Sequence, residues 1–225
     1  MKKLFLFAII LILAVNLLAL DSVAIISASK GKVDLHRATK VIKHKTGDML
    51  QNNDEIRTGG ESFAAFKYID GSATVKIFSH SVVKVLASTS NKKLAKTVKL
   101  NKGSVFSQIK SDTGPFAVQT PTTVASVKGT GFLAEFDEQE QTKFIVTEGE
   151  LELKILDKTE TKSVSAGNTA IVQADGSLEI RPSTEEDIQE IELSELESTR
   201  EKEIRKMRIP VIDPNGQTRY IEITW

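Results

Sequence analysis

Pro115-Phe116-Ala117-Val118-Gln119-Thr120-Pro121, continued by Val124-Ala125-Ser126-Val127-Lys128-Gly129-Thr130-Gly131-Phe132, is the stretch on which the fold turns. It reads as two strands bent around a proline and a glycine-rich corner. Thr120, standing before Pro121, is pushed toward extended geometry. Gly129 suits a turn in which a side chain would clash.

The same style of sequence runs outward from this stretch in both directions. From Val23 to Ile180, short apolar-alternating runs are broken by turn residues. Glu150-Leu151-Glu152-Leu153-Lys154-Ile155 alternates strictly, which is the mark of a strand with one buried and one wet face. Ala73, Val75 and Ile77 repeat the pattern, with Lys76 on the other side. Asp70-Gly71 and Asp175-Gly176 each sit between two such runs and predict tight two-residue hairpins. Gly31, Gly47, Gly59-Gly60, Gly103, Gly129, Gly149 and Gly167 mark further turns. Strands recurring every eight to twelve residues predict an all-β domain, a sandwich or a solenoid-like stack, over residues 21–181.

Residues 182–225 read differently. Pro182-Ser183-Thr184 offers a helix start, and Glu185, Glu186 and Asp187 place negative charge where the helix dipole favours it. A helix of about 25 residues follows from this, roughly 37 Å long at 1.5 Å per residue. Leu193, Leu196, Ile204 and Met207 form a thin apolar stripe, with Ile188 and Ile191 on another side. The heptad fails within two turns, so the expectation is a largely solvated helix docked by one patch. A terminal hairpin around Asp213-Pro214-Asn215-Gly216 ends the chain. An isolated hairpin is marginal in water, so pairing with the main sheet or with a partner is expected of it.

At the other end, Lys2-Lys3 precede seventeen residues, Leu4 to Leu20, that are apolar except for Asn16. Residues 1–20 therefore read as a secretory signal or as an uncleaved N-terminal anchor, at the low end of what spans a bilayer. Both place the rest of the chain outside the cytoplasm, in the periplasm or on the inner membrane facing it. Cysteine is absent, which excludes disulfides, thiolate chemistry and a lipoprotein anchor.

Net charge is zero but graded along the chain, with a balance of +9 over 21–110, −7 over 111–180 and −4 from 181 onward. The basic segment reads as one that lies beside acidic strands and is partly neutralised by them, the alternative being an anionic partner such as phospholipid, lipopolysaccharide or a wall polymer. Export, with lysines not interleaved with exposed aromatics, argues against a nucleic-acid partner.

The ordered set of motifs resembles the FecR domain, found outside the cytoplasmic membrane in bacterial iron-citrate sensors. Gly47-Asp48 with Asp54, Ile56, Thr58 and Gly59 is similar to its opening, and Asp70-Gly71-Ser72 to its first hairpin. Phe116, Val118, Thr120-Pro121, Ala125, Val127 and Gly129-Thr130 look like its central segment. Glu148-Gly149, and later Ala166-Gly167, resemble its close. The resemblance covers about residues 30–172. Each of these residues also has a strand or turn role that needs no ligand: Asp54 and Asp70, for instance, suit the capping of turns by hydrogen bonds to backbone amides.

The resemblance implies a binding or sensing module. Sensor members place a cytoplasmic anti-sigma segment before a membrane span, whereas only Met1, Lys2 and Lys3 precede the apolar run here. The expectation is a chain that does not bind a sigma factor itself. Lys128 stands where the family often has arginine, which weakens any bidentate anion contact there.

No catalytic constellation is legible. His36, His44 and His80 lack metal-ligand spacing, and Asp34, Asp48, Asp54 and Asp70 lack the spacing of a calcium loop. The phenylalanines 63, 66, 78, 106, 116, 132 and 144 read as core rather than as a sugar-stacking platform. Convergent acidic residues in a deep pocket would be the mark of a hydrolase. The sequence thus points to a non-enzymatic scaffold without cofactor or metal, binding an envelope protein or surface polymer. The alternative is a membrane-anchored accessory to transmembrane signalling or iron-uptake regulation. Lys128 and Trp225 are the candidate partner contacts.

Overall fold

The computed structural model describes residues 22–90, 93–156, 158–204, 207–212 and 218–223. The apolar segment 1–20, the Asp213–Gly216 turn and Trp225 lie outside the described residues.

Alternating apolar runs become strands in unbroken succession. They are β1 (Ser22–Lys30), β2 (Val33–Arg37), β3 (Lys40–Ile42), β4 (Met49–Gln51), β5 (Glu55–Thr58) and β6 (Phe63–Tyr68). β7 (Ala73–Ile77), β8 (Val82–Ser90), β9 (Lys93–Ile109), β10 (Phe116–Gln119), β11 (Thr123–Val127) and β12 (Gly131–Phe136) follow. β13 (Thr142–Glu148), β14 (Glu150–Ile155), β15 (Thr161–Ser165), β16 (Asn168–Val172) and β17 (Leu178–Pro182) complete the main sheet. Helix α1 (Glu185–Ile204) and the strands β18 (Met207–Ile212) and β19 (Thr218–Ile223) come last.

The fold is all-β, as expected, and the seventeen strands hydrogen-bond into one network. That network is folded into two layers. One layer runs β4-β1-β6-β7-β9-β12-β13-β16-β17. The other runs β3-β2-β5-β8-β9-β10-β11-β14-β15. The chain crosses between layers every one or two strands while advancing in one direction, a sandwich built as a solenoid. All pairings are antiparallel except β9 with β10.

Both layers turn alternate side chains into one core. Phe66, Val75, Ile77, Val105, Phe132 and Phe144 come from the first layer, and Leu35, Ile56, Val83, Val98, Val118 and Leu153 from the second. A fully buried side chain of this kind contributes about 1.5–3 kcal/mol by leaving water.

Strand β9 belongs to both layers. Residues 93–102 pair with β8 in the second layer, and residues 103–109 pair with β7 and β12 in the first. Gly103 is the corner, at φ +84°, and a Cβ there would sit 2.6 Å from the Ser81 Cα. The sequence reading of Gly103 as a turn between strands is therefore corrected: it bends one 17-residue strand. The two Asp-Gly hairpins are also longer than the two-residue turns expected. β6 and β7 pair no further than Lys67 with Thr74, and only the glycine of each Asp-Gly pair takes positive φ.

A second apolar cluster lies on the outer face of the first layer. Phe63, Ala65, Phe78, Phe106, Leu133 and Ile145 are buried there, with Ile191 of α1 packed against them. Helix α1 spans 20 residues, shorter than expected. Its start is a reciprocal cap: the Thr184 N–H donates to Asp187 Oδ2 (2.8 Å) and the Asp187 N–H donates to Thr184 Oγ1 (3.3 Å).

The docked side of the helix is the ionic one. Arg181 holds Asp187 at 2.6 Å, and Lys143 on β13 holds both Glu190 (2.6 Å) and Glu135 (3.1 Å). Leu193 and Leu196, members of the thin apolar stripe, are 62% and 58% exposed. The terminal hairpin forms with Met207 opposite Ile223. Its two strands make a sheet of their own and do not join the larger one.

Two outcomes test this arrangement. Gly103→Ala is expected to cost at least about 2 kcal/mol in urea unfolding, since it adds both a disfavoured φ and a backbone clash. Helix docking is expected to be acid-labile. Burial alone would raise the Asp187 carboxyl, but Arg181, the Thr184 N–H and the Thr169 hydroxyl together lower it to about 2. The stabilisation is then complete above the ordinary carboxylate range and disappears as pH falls through it toward 2. Amide exchange in 185–192 accelerating between about pH 4 and 2, ahead of the β-core, is the expected reading.

Candidate functional site

The motif residues singled out from sequence are joined to one another and to the scaffold by internal bonds. Asp54 is fully buried and accepts both Arg37 Nε (2.8 Å) and Arg37 Nη2 (2.7 Å), a bidentate pair, along with the Gln51 N–H (2.8 Å). Arg37 was not singled out from sequence. A buried carboxylate demands a cation, but the strand pairing that brings β2 beside β5 is what supplies this one.

Asp48 Oδ2 caps its turn at the Lys45 N–H (2.9 Å), and Gly47 donates to the Ile26 carbonyl (2.8 Å). Ile56 is a core residue. Thr58 Oγ1 donates to the Phe78 carbonyl and accepts the Ser81 N–H (2.9 Å). Gly59 donates to the Lys32 carbonyl (2.9 Å).

The Asp70-Gly71-Ser72 turn reaches across the sandwich. Asp70 Oδ1 accepts both the Ser72 N–H (3.1 Å) and the Ser72 hydroxyl (2.5 Å). Asp70 Oδ2 accepts Lys96 Nζ (2.7 Å), which also donates to the Thr113 carbonyl (2.9 Å). The Lys96 side chain is fully buried. Burial pushes the Asp70 carboxyl up, but Lys96 and Ser72 outweigh it and hold it below the usual carboxylate range. Tyr68 lies beside this pair, its ring edge-on to Phe116 at 6.1 Å. Its hydroxyl is pushed up by burial, with Asp70 adding.

The central segment forms three elements. β10 and β11 are a hairpin in the second layer, turned at Thr120-Pro121-Thr122, with Phe116 opposite Val127. Thr120 Oγ1 sits in a hydroxyl cluster with Thr123 (2.8 Å) and Thr142 (3.1 Å). The Lys128-Gly129-Thr130 corner then carries the chain into β12 of the first layer. Gly129 has φ +65°, and a Cβ on Gly149 would sit 2.5 Å from the Gly129 carbonyl oxygen. The two motif glycines therefore pass each other backbone to backbone. Thr130 Oγ1 donates to the Glu150 carbonyl (3.0 Å), and Glu148 accepts Gln108 Nε2 (2.9 Å).

What remains open is a groove of about 540 Å³ on the outer face of the second layer. Its floor is small: Ala95 and Thr97 of β9, Ala117 of β10 and Ser126 of β11. The loop from Asp112 to Pro115 walls one side, held by Lys96 Nζ on the Thr113 carbonyl and by Lys93 Nζ on the Asp112 carbonyl (3.2 Å). Lys110 and Lys128 stand on the rim with Glu150 and Glu152 of β14. Lys128, a partner-contact candidate from sequence, is thus part of the groove. The other candidate, Trp225, lies outside the described residues.

A second, polar groove of about 380 Å³ is lined by His36, Arg37, Asn52, Glu55, Arg57 and Lys84. Among the described residues no group of three or more His, Asp or Glu is placed to hold a metal ion. The histidines stay apart: His44 Nε2 lies 3.2 Å from Ser29 Oγ, and His80 sits at positive φ against Gly60.

Residues 54–152 match the family model described as FecR protein. The chain carries a FecR domain. No curated protein matches it. The fold is similar to that of a "putative anti-sigma factor" from Parabacteroides distasonis ATCC 8503, in crystal structures at 1.65 and 2.50 Å resolution. Sequence identity is 18% and 16%, with TM-scores of 0.52 and 0.51. In each case 76% of this chain and 84% of the other are covered. At this identity the likeness establishes shared architecture. The FecR match covers the strands from β5 into β14, and so includes the buried Lys96–Asp70 pair and all the residues that line the groove.

Asp54→Asn is expected to lower stability by about 2–3 kcal/mol in urea unfolding, because Arg37 loses its bidentate anion in a partly buried site. Lys128→Gln, at an exposed rim position, is expected to change stability by less than about 0.5 kcal/mol.

Proposed function

We propose that this chain is a non-catalytic, exported binding protein of the bacterial envelope. In this reading its FecR domain docks another envelope protein or a surface polymer and takes part in regulatory signalling. The observation that carries it is the division of labour in the domain. The motif side chains are committed to internal bonds and packing, while an open groove with unpaired charges lies beside them at Lys128. In this reading the bonded motif holds the scaffold and the groove presents its surface.

The FecR match and the architecture shared with a "putative anti-sigma factor" support a regulatory role. The basic, then apolar, N-terminal sequence supports export. A second reading is favoured by the length of that segment: seventeen residues, Leu4–Leu20, reach the low end of a bilayer span. Uncleaved, they would make the chain a membrane-anchored accessory to transmembrane signalling or iron-uptake regulation.

Mass spectrometry of the N-terminus, after fractionation of a bacterial host expressing the full chain, separates these readings. A new terminus near residue 20 or 25 in the periplasmic fraction is expected. An intact terminus in the membrane fraction selects the anchored reading, and a chain retained in the cytoplasm overturns both. A photocrosslinking side chain at position 128 is expected to trap a discrete envelope adduct, and its absence at normal chain levels would contradict the docking role.

A further inference from the structure

The charge gradient of the sequence becomes an axis in the fold. The basic segment 21–110 supplies β1 to β9, and the acidic segment 111–180 supplies the strands from β10 onward. Strand pairing joins the two only where β9 meets β10 and β12. Basic and acidic strands are therefore gathered at opposite ends of the stack and do not interleave.

Each end presents the edges of both layers, β4 and β3 at the basic end and β17 and β15 at the acidic end. Exposed apolar side chains collect at the same two ends. Val41 on β3 is 63% exposed and Met49 on β4 is 42% exposed, and Ile180 on β17 and Leu156 after β14 match them at the far end. Among the described residues 22–182 the one other large apolar side chain left exposed is Ile69, in the β6–β7 turn.

The edges differ in how they are guarded. On β4 the Met49 carbonyl accepts Arg37 Nη2 (3.3 Å) and the Gln51 N–H donates to Asp54 (2.8 Å). β17 ends on Pro182, which has no N–H to offer a further strand. β3 and β15 hold no proline, and among the described strands β3 pairs only with β2 and β15 only with β14. Each leaves a row of backbone groups open on one side.

Direction and charge match these two open edges to each other. Between β3 and β15 lie seven antiparallel pairings and the parallel β9–β10, so the two strands run oppositely. A second copy placed next along the axis in the same orientation brings its β3 antiparallel to β15. Lys40, Lys43 and Lys45 are exposed in and beside β3, with no acidic partner among the described residues, so two β3 edges repel. Glu150 and Glu152 are exposed one strand in from β15 and attract the same lysines.

We propose that copies of this chain associate head to tail, with β15 of one pairing antiparallel to β3 of the next. The contact joins two different surfaces and leaves one of each free, so it propagates as linear chains and does not close as a dimer. It also leaves the groove at Lys128 open, since no residue lining that groove lies on β3 or β15.

Disulfide trapping tests the proposal, because the chain has no cysteine of its own. Val41→Cys is combined with Thr161→Cys, Ser163→Cys or Ser165→Cys, three alternate positions that sample the register. All four sites are exposed, so the fold is kept. Within one copy β3 and β15 are eight strand spacings apart, roughly 38 Å, far beyond the reach of a disulfide. Mild oxidation of the protein as the host produces it is expected to give a ladder of dimers, trimers and longer chains from at least one double variant. Each single variant is expected to stay monomeric, and a mixture of Val41→Cys with the matching β15 variant to stop at dimers. Adding Lys40→Glu/Lys43→Glu is expected to lower the ladder yield about tenfold. No ladder from any of the three, dimers from a single variant as abundant as from the mixture, or a ladder indifferent to the charge reversal each overturn the proposal.

Discussion

The structure depends on one strand serving two layers. β9 leaves the second layer at Gly103 and enters the first, so the layers are hydrogen-bonded to each other through a continuous backbone as well as packed face to face. Non-local pairing of this kind bears an entropic cost that grows with the loops it closes. A bent strand lets one segment align β7, β8, β10 and β12 together. The bend requires a residue with positive φ lying against Ser81, and only glycine meets both demands.

Charge reinforces the same junction. Lys96, near the start of β9, points into the sandwich and binds the β6–β7 turn through Asp70 and the loop before β10 through Thr113. An ammonium this deep is tolerated because its partners are fixed. Such a pair contributes position more than net stability. What it positions is the loop that walls the groove, so the FecR turn motif acts on the candidate site from across the core.

Much of this architecture was legible in the sequence because local chemistry dictated it. The alternation of Glu150–Ile155 returns as exposed and buried positions in strict order, and Thr184 with Asp187 caps a helix as its sequence suggests. Gly103 was misread because a glycine in an alternating run marks a turn or a bend equally well, and the pairing partners decide between them. Which face of α1 docks was not legible for a related reason. Leu193 and Leu196 satisfy helical periodicity, but the surface opposite offers Lys143 and Arg181, and those select Asp187, Glu190 and Ile191 instead. Phe63, Phe78 and Phe106 were correctly read as buried, although they belong to the outer cluster and not to the sandwich core.

The sequence by itself determined the strand content, where most of the chain reversals fall, the helix start and the family to which the ordered motifs point. Each of these follows from backbone preference and side-chain period within a few residues. Only the tertiary structure decided that Arg37 satisfies Asp54, that Lys96 is buried against Asp70, and that Lys128 shares a groove with Lys110, Glu150 and Glu152. Those partners are separated by 17 to 42 positions along the chain and meet because strand order, rather than sequence distance, sets what lies within about 5 Å.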